Sequence, residues 1–220
     1  MKLFLSSFVF IFFFYSPLFG EEIKKKYILK IGGIKIGELY WEINLELDNY
    51  LNKLNLESRG LLSSLYNFKG EYFSKGIIHN NELLPKKYTH FWKTRKAVKS
   101  MELNFSDKKL ISINQTPAEK EKVRLNIFAI ENTNDPLTSF LKILMGENNI
   151  LVVDGRRFYT MKAKRGDGEQ VKITEIVNYS NLWADHNRNK FEKIIFEKKN
   201  NEILPKTMLV YFDGKVFRLE

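Results

Sequence analysis

The stretch "ELYWEINLEL" (Glu38–Leu47) alternates without a break. Leu39, Trp41, Ile43, Leu45 and Leu47 fall on one face, and Glu38, Tyr40, Glu42, Asn44 and Glu46 on the other. Successive side chains of a strand point to opposite faces, so this pattern describes a strand with one buried and one wet face. Antiparallel sheets commonly read this way, whereas parallel strands are usually apolar on both faces. The same alternation, more or less complete, extends in both directions from this segment.

Upstream, "YILKIGG" (27–33) is a shorter strand ending at Gly32-Gly33, which supplies the positive φ values of a hairpin turn. Downstream, strands are expected over 50–58, 66–78, 86–94, 97–105 and 109–114, and "QTPAEKEK" (115–122) reads as a surface loop. "VRLNIFAI" (123–130) alternates again and is expected to be a strand. A strand pair pivoting on Asp154-Gly155 covers 149–164, followed by strands over 168–179, 190–199, 203–213 and 215–220, with 180–189 as a loop. Asp213-Gly214 is a two-residue hairpin signal.

One segment breaks the pattern. In "NDPLTSFLKILMG" (134–146), Asp135 can cap the first turn and Pro136 sits where a missing N–H costs nothing. Leu137, Phe140, Leu141 and Leu144 form one apolar stripe, and Gly146 can terminate the helix. A helix this short is marginal alone in water, so its stripe must pack on the sheet. The expected fold is mainly β: a curved antiparallel sheet, an open or half barrel, covered by one short amphipathic helix. No repeat or linker divides it.

Residues 1–20 form a separate unit. Lys2 precedes an apolar run from Leu3 to Tyr15, Ser16-Pro17 breaks it, and Gly20 offers a small residue at a cleavage point. This is the layout of a secretory signal peptide, with residues 21–220 as one exported, periplasmic β-rich domain. The competing reading is a retained anchor, for which the run is short and interrupted by proline. No later stretch reaches spanning length. The chain has no cysteine, which excludes both a disulfide framework and a lipid-bearing N-terminal thiol.

The formal net charge is +10. A basic surface suits anionic partners, but the 28 lysines are dispersed and accompany 20 isoleucines, 20 asparagines and only 5 alanines, a bias expected from an AT-rich genome. Export argues against nucleic acid as a partner. Catalytic constellations do not emerge: there is no thiol nucleophile, no G-x-S-x-G elbow and no metal-ligand spacing among the three histidines, His79, His90 and His186. His90, on a strand between Tyr88 and Trp92, is read as a structural histidine. Glu38, Glu42 and Glu46 read as a solvated strand face. No catalytic residue, metal ligand or cofactor is therefore expected.

The polar candidates for ligand contact are Arg156 and Arg157, which follow the Asp154-Gly155 turn and could grip a carboxylate or phosphate. The apolar candidates are Trp41, Phe140 and Leu141, where the helix meets the sheet.

The pieces "YILKIGGIKIGELYWEI", "LESRGLLSSLYNFKGEYFSKG" followed by "LLPKKY", "DPLTSFLKIL", "VVDGRRFYTM" and "LPKTMLVYFDGKVFRLE" occur in an order that resembles a family of exported proteins of Gram-negative bacteria known only as a domain of unknown function. The resemblance implies a periplasmic, β-rich protein without an assigned activity. Members often carry cysteines that this chain lacks, so a family disulfide does not transfer. The architecture also looks similar to lipoprotein carriers, in which an unclosed barrel covered by helices holds acyl chains. Two functions follow as expectations. One is a binding or carrier protein for an apolar or lipid-like envelope ligand, with the helix as lid. The other is an envelope interaction or scaffold protein with a solid core and a protein partner. An empty apolar cavity would favour the first and dense packing the second.

Overall fold

The computed structural model describes residues 20–60, 67–167, 170–183, 191–199 and 201–220. The leader reading over residues 1–20 falls, but for Gly20, outside them, as does His186. Among the described residues fourteen strands make one sheet. In chain order they are β1 (Glu21–Ile31), β2 (Ile34–Leu45), β3 (Asn49–Ser58), β4 (Phe68–His79), β5 (Glu82–Thr94), β6 (Val98–Ser106) and β7 (Lys109–Thr116). Then follow β8 (Thr133–Asn134), the helix α1 (Pro136–Met145), β9 (Asn149–Val153), β10 (Arg157–Arg165), β11 (Val171–Asn181), β12 (Phe191–Glu197), β13 (Thr207–Phe212) and β14 (Lys215–Leu219).

The spatial order is β7-β6-β5-β4-β3-β2-β1-β14-β13-β12-β11-β10-β9-β8. Two antiparallel meanders thus join where the first strand meets the last, with Leu29 opposite Leu219 and Ile31 opposite Phe217. Short turns set most of the registers. Gly32 and Gly33 take φ of 54° and 81° between β1 and β2, and Asp213 and Gly214 take 53° and 70° between β13 and β14, as a two-residue hairpin demands.

The two edges of this sheet come back together. Thr133 in β8 donates its N–H to the carbonyl of Lys108, in the turn just before β7, at 3.1 Å. The sheet is therefore a barrel closed to a single described backbone bond, further round than a half barrel. The closing strand β8 has two residues and pairs parallel to β9, so it matches little of the eight-residue β7. "VRLNIFAI", expected as a strand, does not pair. It runs as irregular chain with a short 3-10 turn at Ile127–Ala129, beside β7. Alternation set its side chains, with Ile127 fully buried, but supplied no strand to bond with.

The helix differs from the expectation in its surroundings. Rather than covering a mouth with one stripe, α1 is buried on nearly every side: Leu137 through Leu144 are all buried. Its partners come from far round the sheet, Trp41 on β2 and Phe196 on β12 both packing on Phe140, at ring-centroid distances of 5.7 and 5.5 Å. The helix is a plug inside the near-barrel. No helix among the described residues is long and apolar enough to cross a membrane.

Candidate functional site

The interior of the near-barrel is occupied by the chain itself. Trp41 is 3% exposed, Phe140 6% and Leu141 0%, and all three belong to one apolar cluster with Ile43, Ile143, Leu144, Val152 and Phe196. Polar side chains on α1 are buried with them because the sheet supplies partners. Asp135 accepts from the N–H groups of Leu137 and Thr138 at 2.9 and 3.0 Å, closing the first turn. Its other oxygen accepts from Thr138 Oγ1 at 2.6 Å and Ser74 Oγ at 2.9 Å. Since the single Thr138 proton goes to Asp135, Tyr50 must donate its own to Thr138, 2.6 Å away. Asn52 bridges the rest: it accepts from Trp41 Nε1 at 2.7 Å and donates to the carbonyl of Leu137 at 3.1 Å.

Burial pushes the Asp135 carboxyl up from its ordinary value, and the bonds it accepts pull the other way. Room for Tyr50 comes from Gly76, where a Cβ would lie 2.6 Å from the tyrosine ring and 2.1 Å from the Leu84 carbonyl oxygen. At the far end of the helix, Gly146 takes φ 114°. Glu147 then donates to the Lys142 carbonyl and Gly146 to that of Ile143, the paired bonds of a Schellman ending. Lys198 donates to the Leu144 carbonyl at 2.6 Å. Both ends of the plug are thus fastened to the wall.

The Asp154-Gly155 turn also holds its own arginines. Asp154 accepts from the N–H groups of Arg156 and Arg157 at 2.8 and 2.7 Å. The Arg157 guanidinium lies 5.4 Å from the Tyr179 ring centroid and donates to its hydroxyl at 3.1 Å, while its Nε is buried without a hydrogen-bond partner. The positive charge of Arg156 acts on His90 in the neighbouring wall. Described contacts therefore tie Arg156 and Arg157 to Tyr179 and His90, and do not join them to Trp41, Phe140 or Leu141.

Among the described residues, open space lies along the incomplete seam. A groove of about 640 Å³ is lined by Thr89, His90 and Phe91 of β5, Ser100–Glu102 of β6, Ile113–Thr116 of β7, by the following segment through Val123 and Phe128, and by Trp183 just after β11. A second hollow of about 650 Å³ continues past Phe128 to the β6–β7 turn and to Glu131 and Asn132 beside β8. His90 stacks on Tyr72 with centroids 4.8 Å apart. Burial, with the nearby Arg156 charge second, lowers its pKa to about 4, so it is a neutral imidazole near pH 7. Gln115 Oε1 is buried and has no hydrogen-bond partner. Trp183 donates from Nε1 to the carbonyl of Glu121 at 3.1 Å, which fixes one wall of the groove.

Neither groove was legible in advance, since both depend on β7 remaining an edge. The one sequence signal was the run from Thr116 to Lys122, whose polarity and proline denied β7 a neighbouring strand. Among the described residues no three His, Asp or Glu side chains gather as a metal site would require.

Comparison with known proteins places this architecture. Residues 26–204 match the sequence model of a family described as a protein of unknown function, DUF3108. The chain belongs to the DUF3108 family. The match runs from β1 to the segment before β13, so it takes in the plug, the seam and the Asp154 turn together. No curated protein matches this DUF3108 chain. Among solved structures, it is similar to a β-barrel-like protein of the domain of unknown function DUF1849 from Brucella abortus. The TM-score is 0.52 at 12% identity, over 92% of this chain and 95% of that one. At that identity the likeness speaks for the fold alone.

Proposed function

We propose that this DUF3108 protein is an exported binding protein of the cell envelope, a solid-cored near-barrel that takes its partner at the seam beside β7. The observation that carries this reading is where the space lies. The lumen is filled by α1 and its polar fastenings, while a groove of about 640 Å³ opens along the unmatched edge. Ligand sites are concave, mixed apolar surfaces with a few placed polar groups. Phe91, Met101, Ile113, Phe128 and Trp183 supply the apolar part, and Gln115 Oε1 supplies an acceptor still without a donor. The packing of α1 favours an interaction protein over a carrier whose cavity lies under a helical lid. Periplasmic residence rests on the leader-like sequence of residues 1–20.

Site-directed photocrosslinking tests it. A photoreactive residue replacing Phe128, 41% exposed at the seam, is compared with one replacing Val216, 40% exposed on β14. Irradiated in envelope preparations, the first is expected to give a discrete adduct, identified as lipid or protein by mass spectrometry, and the second none. Equal yields from both, or none from position 128, would contradict the reading.

A further inference from the structure

Resting on the seam as the binding surface, we infer that β7 takes an extended segment of a partner polypeptide as an added strand. Every other long strand of the sheet has a strand on each side. β7 has β6 on one side only, and on the other the described backbone link is the Thr133–Lys108 bond, one residue ahead of the strand. Between β7 and β8 the chain runs as the segment from Pro117 to Asn132, which makes no described backbone bond to Lys109–Thr116. An unpaired edge presents a row of N–H and C=O groups that another chain can complete, the mode known as β-augmentation.

Three further observations agree on the kind of strand. The two hollows follow β7 for its whole length, Ser106–Ile111 lining one and Ile113–Thr116 the other, with Phe128 shared between them. A single extended chain fits such a trench, and a compact ligand would fill only part of it. Apolar surface is exposed along the trench, Ile111 at 58% and Phe128 at 41%. The charged residues lining the groove of about 640 Å³ are Glu102, Glu119 and Glu121, with no lysine or arginine, in a chain whose net charge is +10, whereas the second hollow is mixed, Asp107 and Glu131 beside Lys108 and Lys109. Glu102 already pairs with Lys87 at 2.7 Å, so the complementarity lies in the sign of the lining of that groove, beside Ile113–Thr116. The occupant is thus an extended peptide alternating apolar and basic side chains, with a donor to meet Gln115 Oε1.

The test selects a phage-displayed dodecapeptide library on the protein expressed from its full-length sequence. The enriched peptides are then synthesised in two forms, plain and N-methylated at alternate residues. N-methylation keeps the side chains but removes the hydrogen bonds along one edge. Strand addition predicts enrichment of alternating apolar and basic sequences, at least a tenfold loss of affinity on N-methylation of one edge, and new hydrogen-exchange protection at amides within Ile111–Thr116. Indifference to N-methylation on both edges, protection located elsewhere, or no enriched peptide at all would overturn it. In those cases an adduct at position 128 would leave the seam reading standing with a ligand that binds by side-chain contacts; absence of the adduct would remove both.

Discussion

At the scale of single residues, the chemistry concentrates on Asp135. Its carboxylate satisfies two backbone donors of the first helical turn and two hydroxyls, that of Thr138 in the helix and that of Ser74 in the barrel wall. Asp135→Ala therefore removes an N-cap and leaves Ser74 and Thr138 short of an acceptor. The expected loss is about 3 kcal/mol, the sum of a typical cap and one or two orphaned buried groups, read from the urea midpoint. Gly76→Ala is expected to be similarly costly for a different reason, since its methyl would meet both the Leu84 carbonyl and the Tyr50 ring. In that variant the near-ultraviolet circular dichroism of the tyrosine should change along with stability.

His90 gives a pH signature. Its native pKa of about 4 lies below the ordinary 6.5, so the unfolded chain binds more protons in this interval. Stability from His90 is complete above about pH 6.5 and is lost as pH falls towards 4, by up to about 3 kcal/mol. His90→Gln should flatten the pH dependence of stability across that window relative to the unaltered protein. A difference between the two that stays constant from pH 7 to 4 would show that the imidazole is not held neutral by the fold.

At the scale of elements, α1 carries the account. Its limits are plain in the sequence because caps are local: Asp135, Pro136 and Gly146 each act on neighbouring backbone. Its surroundings are not, because Thr138, Ser139 and Lys142 look like a wet face. They are buried because groups distant in sequence lie against the helix, Tyr50 and Ser74 for Thr138, and Glu82 at 3.6 Å for Lys142. The opposite error occurred at 123–130, where alternation promised a strand. Alternation reports which way side chains point, and whether the backbone finds a ladder depends on closure of the sheet. The two-residue β8 is too short to leave any pattern. Thus the meanders were readable in outline, and the filled lumen and open seam were not. Phe140, wedged between Trp41 and Phe196, is the most informative element-scale substitution. Phe140→Ala is expected to cost about 3–5 kcal/mol in chemical denaturation, as for a large aromatic truncated in a packed core.

At the scale of the whole molecule, the described chain builds a sheet that nearly closes, fills it with its own helix, and leaves an unpaired strand edge and two hollows at one seam. Rigidity and binding are thereby separated in space. Changes on the seam should alter recognition without altering the fold: Ile111→Lys, at a position 58% exposed, is expected to shift stability by no more than about 0.5 kcal/mol. Changes in the plug should do the reverse. The distinction between a plug and a lid is also the point on which the reading of function turns, and native-state hydrogen exchange of the Leu141–Leu144 amides tests it most directly. A plug exchanges only through global unfolding, so these amides should show the same opening free energy as the central strands β1, β2 and β14. Opening of α1 at a free energy several kcal/mol below theirs would mean that the helix swings out as a lid, and the lumen would then be the ligand site.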